Sequence, residues 1–162
     1  MKQIRILVIL VLPFIFSFVY GQEKLKDIIP LKNGKATYMD IVSVDGITKD
    51  ELYNRAKRWL AYSDETIRLD HKDLLVARGT SSTPRGIMFQ TISIQIKDGR
   101  YRYTITDFTE KNYGIYNGSS YYLEMPIELY EKAKWCEMID NQIKVMIVSL
   151  EKAMKTPINT NW

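Results

Sequence analysis

Residues 87–108 read Ile-Met-Phe-Gln-Thr-Ile-Ser-Ile-Gln-Ile-Lys-Asp-Gly-Arg-Tyr-Arg-Tyr-Thr-Ile-Thr-Asp-Phe. Two alternating runs flank Asp98-Gly99, a preferred pair for a two-residue type I′ hairpin turn. Such a turn predicts a register in which paired residue numbers sum to 197. Ile96 then faces Tyr101, Ile94 faces Tyr103 and Ile92 faces Ile105, all on one apolar face. Lys97 pairs with Arg100, Gln95 with Arg102, Ser93 with Thr104 and Thr91 with Thr106 on the other. Only this register separates the two faces, because a one-residue slip would send every apolar side chain to the wrong side.

Upstream of the hairpin, Leu74–Thr80 and Thr66–Asp70 read as two short strands joined by Asp70-His71-Lys72-Asp73. Gly79 to Gly86, with Ser, Thr and Pro84, reads as a loop. Before them, Thr48-Lys49-Asp50-Glu51 is a capping box: the Thr48 hydroxyl accepts from the Glu51 amide and Glu51 reaches back. Leu52, Ala56, Trp59 and Leu60 follow as one apolar stripe. Lys49, Asn54, Arg55, Lys57 and Arg58 are assigned to the wet side, and the helix should end near Ser63. Lys35–Asp45 is a strand closed by Asp45-Gly46, with Asp40 standing among apolar neighbours.

Downstream, residues 109–125 read as irregular. After Pro126 a period near 3.6 returns in Leu129, Ala133, Cys136, Ile139, Ile143, Met146, Ile147, Leu150 and Met154. The spacing fits one long helix or two segments; a break with Asp140 as N-cap is the favoured reading. Thr156-Pro157 stops it, and 157–162 form a tail. The order is β-α-β-β-β-β-α, an α+β two-layer sandwich. About five antiparallel strands are covered on one face by two helices and wet on the other. Residues 35–156 are expected to form one domain, preceded by a lead-in over 22–34.

Residues 1–21 have the n-h-c order of a secretory signal peptide. Lys2 and Arg5 precede an apolar run from Ile6 to Val19, then Val19-Tyr20-Gly21 before Gln22. The run of about 15 residues is short of the ~20 that span a bilayer, so a retained anchor is the weaker alternative and no stable membrane insertion is expected after cleavage. The chain has 162 residues and a formal charge of +4. Loss of the leader takes its 23 Lys and Arg to 21 against 19 Asp and Glu, a net +2. That balance carries no electrostatic footprint for nucleic acid. Cys136 is the single cysteine. It cannot close an internal bridge, so it is read as a small buried residue or, failing that, an intermolecular thiol.

The chain resembles a known family at Val44-Asp45-Gly46, at Lys49-Asp50-Glu51-Leu52-Tyr53-Asn54-Arg55-Ala56 with Trp59-Leu60, and at Ile96-Lys97-Asp98-Gly99-Arg100-Tyr101-Arg102-Tyr103. These stretches look like the domain of unknown function 4468 family, small exported proteins of Bacteroidetes with a TBP-like fold. The resemblance covers roughly residues 35–120 and a family-like C-terminal helix. It implies a curved sheet in the same element order and an exported protein, and it offers no established activity, cofactor or catalytic residue to carry over. A fold name licenses no function by itself.

The residues exclude several chemistries. Asp70 and Asp73 around His71 are too few oxygen ligands for a calcium loop, and Lys72 opposes a cation. There is no G-x-S-x-G motif and no glycine-rich phosphate loop. A pairing of Cys136 with His71 has nothing in sequence to favour it. Paired carboxylates depend on three-dimensional placement; Asp40 would matter only if it faced the core, where desolvation would raise its pKa. Asn117-Gly118-Ser119 matches a glycosylation acceptor and, in the bacterial context the resemblance implies, reads as a turn. No catalytic residue, metal or cofactor is therefore expected.

Two surfaces stand as binding candidates. One is the wet hairpin face with Arg100 and Arg102, beside Lys97 and Gln95. The other is the stretch 112–122 with Tyr113, Tyr116, Tyr121 and Tyr122 among Gly, Asn and Ser, a mixture of rigid aromatic area and adaptable hydrogen bonding. Ordinary edge protection and a packed loop are the plain alternatives. The expectation is an exported, non-catalytic, monomeric binding module for an envelope protein, peptide or glycan. The alternative is a carrier of a small apolar ligand held between the sheet and the last helix.

Overall fold

The structure is a computed structural model that describes residues 28–63, 65–83, 86–116, 119–127 and 133–157, apart from the side chains of 112–125. The leader 1–21, most of the lead-in and the end of the tail lie outside the described residues. Ten elements follow in order: β1 (Leu31–Lys32), β2 (Lys35–Ala36), β3 (Tyr38–Ser43), α1 (Lys49–Tyr62), β4 (Thr66–His71), β5 (Leu74–Thr83), β6 (Gly86–Lys97), β7 (Arg100–Tyr116), β8 (Ser119–Pro126) and α2 (Ala133–Lys155). The five-strand path β3-β7-β6-β5-β4 is antiparallel throughout, β8 adds to β7, and β1 and β2 form a separate two-stranded ribbon. The α+β sandwich read from the sequence is the architecture observed.

The β6–β7 register is the one the Asp98-Gly99 turn predicts, from Lys97↔Arg100 to Thr91↔Thr106. The turn itself differs from type I′. Gly99 has a positive φ of 71°, but Asp98 does not. The reason lies outside the hairpin. The Asp98 carboxylate accepts from the Lys49 amide at 2.7 Å. Gly99 N–H donates to the Ile47 carbonyl, and the Gly99 carbonyl accepts from Val44 N–H. The turn is thus docked onto the β3–α1 connection.

Past Thr106 the pairing shifts by one residue, and Asp107 takes a φ of 55°. This is a β-bulge, and aspartate is one of the few side chains that tolerate the left-handed region. Before the bulge the outer neighbour of β7 is β3, along Arg100–Ile105; after it the neighbour is β8, along Thr109–Tyr116. Lys35 reaches the Asp107 carboxylate at 3.5 Å where the two partners exchange.

Three expectations are corrected here. The segment Gly79–Gly86 is not a loop: β5 runs to Thr83 and β6 starts at Gly86. Residues 109–116 and 119–125 are not irregular but form the far half of β7 and most of β8, with 117–118 outside the described residues. In both places polar Ser, Thr, Asn and Gly suggest loops, whereas continued cross-strand pairing holds the backbone extended. The last helix is not broken at Asp140. Asp140 is buried mid-helix in α2, where its carboxylate accepts from the Tyr38 hydroxyl at 3.0 Å and pairs with Lys144 at 2.6 Å. A side chain with both partners has no call to cap.

The core lies between the sheet and the helices. Ile92, Ile94 and Ile105 are fully buried, with Leu52 and Leu60 of α1 and Ile143, Leu150 and Met154 of α2. Each such side chain contributes roughly 1.5–3 kcal/mol through its removal from water. The α1 N-cap is as expected at Thr48, whose hydroxyl accepts from the Glu51 amide at 3.3 Å. The Glu51 carboxylate turns instead to Arg55. Arg55, assigned to the wet side by periodicity, is 1% exposed. Its guanidinium donates to the Met154 carbonyl at 2.6 Å, so α1 satisfies a carbonyl of the last turn of α2. Among the described residues no helix is long and apolar enough to cross a membrane.

Candidate functional site

Strand alternation sends the large apolar side chains of the sheet to the helices and, among the described residues, leaves the opposite face uncovered. The register of β3, β7, β6, β5 and β4 arranges this open face in rows. Ser43, Arg100 and Lys97 form one row. The next holds Ile41, Arg102, Gln95, Leu74 and His71. Met39, Thr104, Ser93, Val76 and Leu69 follow, and beyond them stand Thr106, Thr91, Arg78 and Thr66.

At the corner nearest the Asp98-Gly99 turn, Ile41, Gln95, Lys97, Arg100, Tyr101 and Arg102 line a cleft of about 210 Å³. Arg102 donates to the Gln95 side-chain oxygen. Ile41 is 58% exposed and Met39, one row further on, 43%. Among the described residues no carboxylate lies within ion-pair distance of Lys97, Arg100 or Arg102. Deeper in the face, the Arg78 guanidinium lies 4.5 Å from the Phe89 ring centroid.

The carboxylates are engaged elsewhere. Asp50, Asp70 and Asp73 pair with Lys72, Lys57 and Lys49 around the β4–β5 turn and α1. Hydrogen bonds from Lys57 and Tyr53 hold the Asp70 carboxyl below its ordinary range, and Lys49 does the same for Asp73. His71 is exposed, with its ring nitrogen accepting from the Asp73 amide at 3.3 Å. Asp40 is exposed on the edge strand β3, where its carboxylate accepts from the Ile41 amide at 2.7 Å. A charge there blunts the edge against further pairing. No group of three or more His, Cys, Asp and Glu suited to a metal occurs among the described residues. Cys136 is buried, and burial pushes its thiol pKa up.

Arg100 and Arg102 therefore stand together on the open face. The four tyrosines do not join them. Tyr113 pairs with Tyr122, Gly114 with Tyr121 and Tyr116 with Ser119 in the β7–β8 hairpin; these side chains lie outside the described ones. Tyr113 follows Arg102 by 11 positions on one strand, about 35 Å of extended chain. The two candidate surfaces are thus opposite ends of one strand.

Sequence reasoning missed the buried polar groups Arg55, Gln90, Glu110 and Asp140. Two had a readable signal. Gln90 shares the parity of Met88 and Ile92 on the buried face. The apolar positions of β7 pass from odd (Tyr101, Tyr103, Ile105) to even (Phe108), which places Glu110 inside and marks the bulge.

Residues 38–111 match the family model described as "Domain of unknown function (DUF4468) with TBP-like fold". Over this stretch the chain is similar to the DUF4468 family. The match spans β3 to just past the bulge in β7 and includes the whole five-strand path. Two solved structures are similar in fold. One is a TBP-like protein from Parabacteroides distasonis, with a TM-score of 0.66 at 17% identity over 80% of this chain and 99% of that one. The other is a DUF4468 family protein from Bacteroides ovatus, with a TM-score of 0.61 at 14% identity over 82% and 94%. No curated protein matches the chain.

Proposed function

We propose that this chain is an exported, non-catalytic binding module of the bacterial cell envelope that holds an acidic segment of a partner protein on its open sheet face. The observation that carries the reading is charge segregation. Among the described residues Lys97, Arg100 and Arg102 have no carboxylate within ion-pair distance, whereas the acidic side chains of the β4–β5 turn and α1 are engaged with one another's lysines. With a net charge near zero after loss of the leader, such an arrangement steers an anionic partner to one face rather than to the whole molecule. The signal-peptide pattern of residues 1–21 supports export.

The carrier reading has less behind it. The larger concavity, about 590 Å³, is an open groove along α2 lined by Ser81, Lys134, Glu137, Asn141 and Gln142 with Met138 and Val145. Such a lining suits a wet surface better than a small apolar ligand.

The test starts from the full gene, leader included. Protein recovered from the envelope fraction should begin at Gln22; an intact leader on cytoplasmic protein refutes export. Amide chemical-shift mapping with poly-glutamate should then move residues 39–43, 91–97 and 100–106, and poly-lysine should not. Acidic polymer that leaves these amides unmoved refutes the open-face reading.

A further inference from the structure

We infer that the corner cleft is a subsite for one side-chain carboxylate of an extended acidic segment, read together with an apolar side chain two residues away. This rests on the open-face reading above. A volume of about 210 Å³ is below the ~300–1,000 Å³ of sites that enclose a whole small molecule. It suits one or two side chains of a longer ligand.

The lining chemistry says which ones. Lys97 and Arg100 are cross-strand partners, as are Gln95 and Arg102, so three cations stand in two neighbouring rows of one face. Gln95 holds the Arg102 guanidinium in place through one nitrogen and leaves its other donors free to fork onto a carboxylate.

Spacing supplies the second half. Same-face rows of the sheet are about 6.8 Å apart, the distance between side chains i and i+2 of an extended peptide. Ile41 stands one row from Arg100 and Lys97, and Met39 two rows. Both are exposed apolar groups, Ile41 at 58% and Met39 at 43%, with the Lys32 ammonium 3.8 Å from the Met39 sulfur. An extended segment that seats its carboxylate on the Arg100–Lys97 row therefore brings the side chain two residues away over Ile41. Phosphate or a bare polyanion would use the cations but leave Ile41 and Met39 wet, so the pair of features selects an acidic, partly apolar peptide.

The experiment uses fluorescence anisotropy with blocked, labelled serine-rich decapeptides that carry a central Leu-Ser-Glu, Leu-Ser-Gln, Ser-Ser-Glu or Leu-Ser-Lys. The leader-processed chain should bind Leu-Ser-Glu, and each single change should weaken binding about tenfold. The double variant Arg100→Glu/Arg102→Glu should lose Leu-Ser-Glu and gain Leu-Ser-Lys. Ile41→Ser, which leaves the charges intact, should erase only the preference for Leu. Both sites are solvent-exposed, and unchanged thermal melts establish that the variants fold. Equal affinity for Leu-Ser-Glu and Leu-Ser-Gln, or no response to charge reversal, overturns the subsite. If poly-glutamate still maps to the face in that case, the subsite alone falls; if it does not, both readings fall. Tighter binding of a DNA duplex than of any peptide overturns the peptide assignment.

Discussion

Arg55→Met should cost the fold about 2–4 kcal/mol. The arginine is 1% exposed, donates to the Met154 carbonyl, and pairs with Glu51. Methionine fills much of the space of its stem but supplies no donor. The lost bond is charge-assisted, worth about 1.5–3 kcal/mol, and it leaves a buried carbonyl at the end of α2 without its donor. The ion pair itself adds little, because the Glu51 side chain is 41% exposed and water solvates the carboxylate left behind. For a domain of this size the loss amounts to a fall of roughly 6–16 °C in Tm. Urea unfolding followed by the fluorescence of Trp59, whose ring N–H donates to Ser149 of α2, reports both stability and the α1–α2 contact. Asn54→Met, exposed on the same helix, is the control and should stay within about 0.5 kcal/mol. A variant Arg55→Met as stable as wild type, or more stable, would refute the reasoning. It would mean that desolvation of the guanidinium cancels its hydrogen bonds, as happens at some buried ion pairs.

Asp98→Ala should lose about 1–2 kcal/mol, because Asp98 supplies both an acceptor and a negative charge to the first amide of α1; Asp98→Asn should recover most of it in the same urea titration. Tyr38, Tyr101 and Tyr103 have pKa values raised above the ordinary 10.0, chiefly by burial, with Asp140 adding to Tyr38, Glu151 to Tyr101 and Asp40 to Tyr103. The unfolded chain then gives up protons that the folded chain keeps, so stability falls as pH rises past about 10. Absorbance at the tyrosinate band should show Tyr38, Tyr101 and Tyr103 ionising at higher pH in the folded chain than in the unfolded one. Asp70 and Asp73 are depressed, so their contribution holds above the ordinary value of 3.8 and is lost as pH falls below it. Asp70→Asn/Asp73→Asn should flatten the acid side of the urea midpoint profile.

Legibility in the sequence followed how local each cause was. The β6–β7 register, the Thr48 cap and the strands β4 and β5 rest on neighbours within a few residues, and they were readable. Arg55 was not, because its partner Met154 lies 99 residues away and periodicity assigns it to the wet side. The unbroken α2 depended on Tyr38, 102 residues from Asp140. The type of turn at Asp98-Gly99 was overridden by its hydrogen bonds to Val44, Ile47 and Lys49. Of the candidate site, Arg100 and Arg102 were legible as one outward face. Their cleft needed Ile41, which only the β3–β7 pairing brings alongside.

That pairing has a kinetic consequence. Strands β4 to β8 form a meander in which each pairs with its sequence neighbour, so every closure after the first is a short loop. β3 instead joins partners 57 to 67 residues apart, from Ser43↔Arg100 to Tyr38↔Ile105, across α1 and three strands. Its closure carries the largest entropy cost in the sheet and is repaid only once β7 is in place. β3 should therefore dock after the rate-limiting step. Stopped-flow φ-values near zero for Tyr38→Phe and well above zero for Ile94→Val would establish that order, and the reverse pattern would exclude it. The strand that completes the Ile41 corner is then the last to arrive, and the corner exists only in the finished fold.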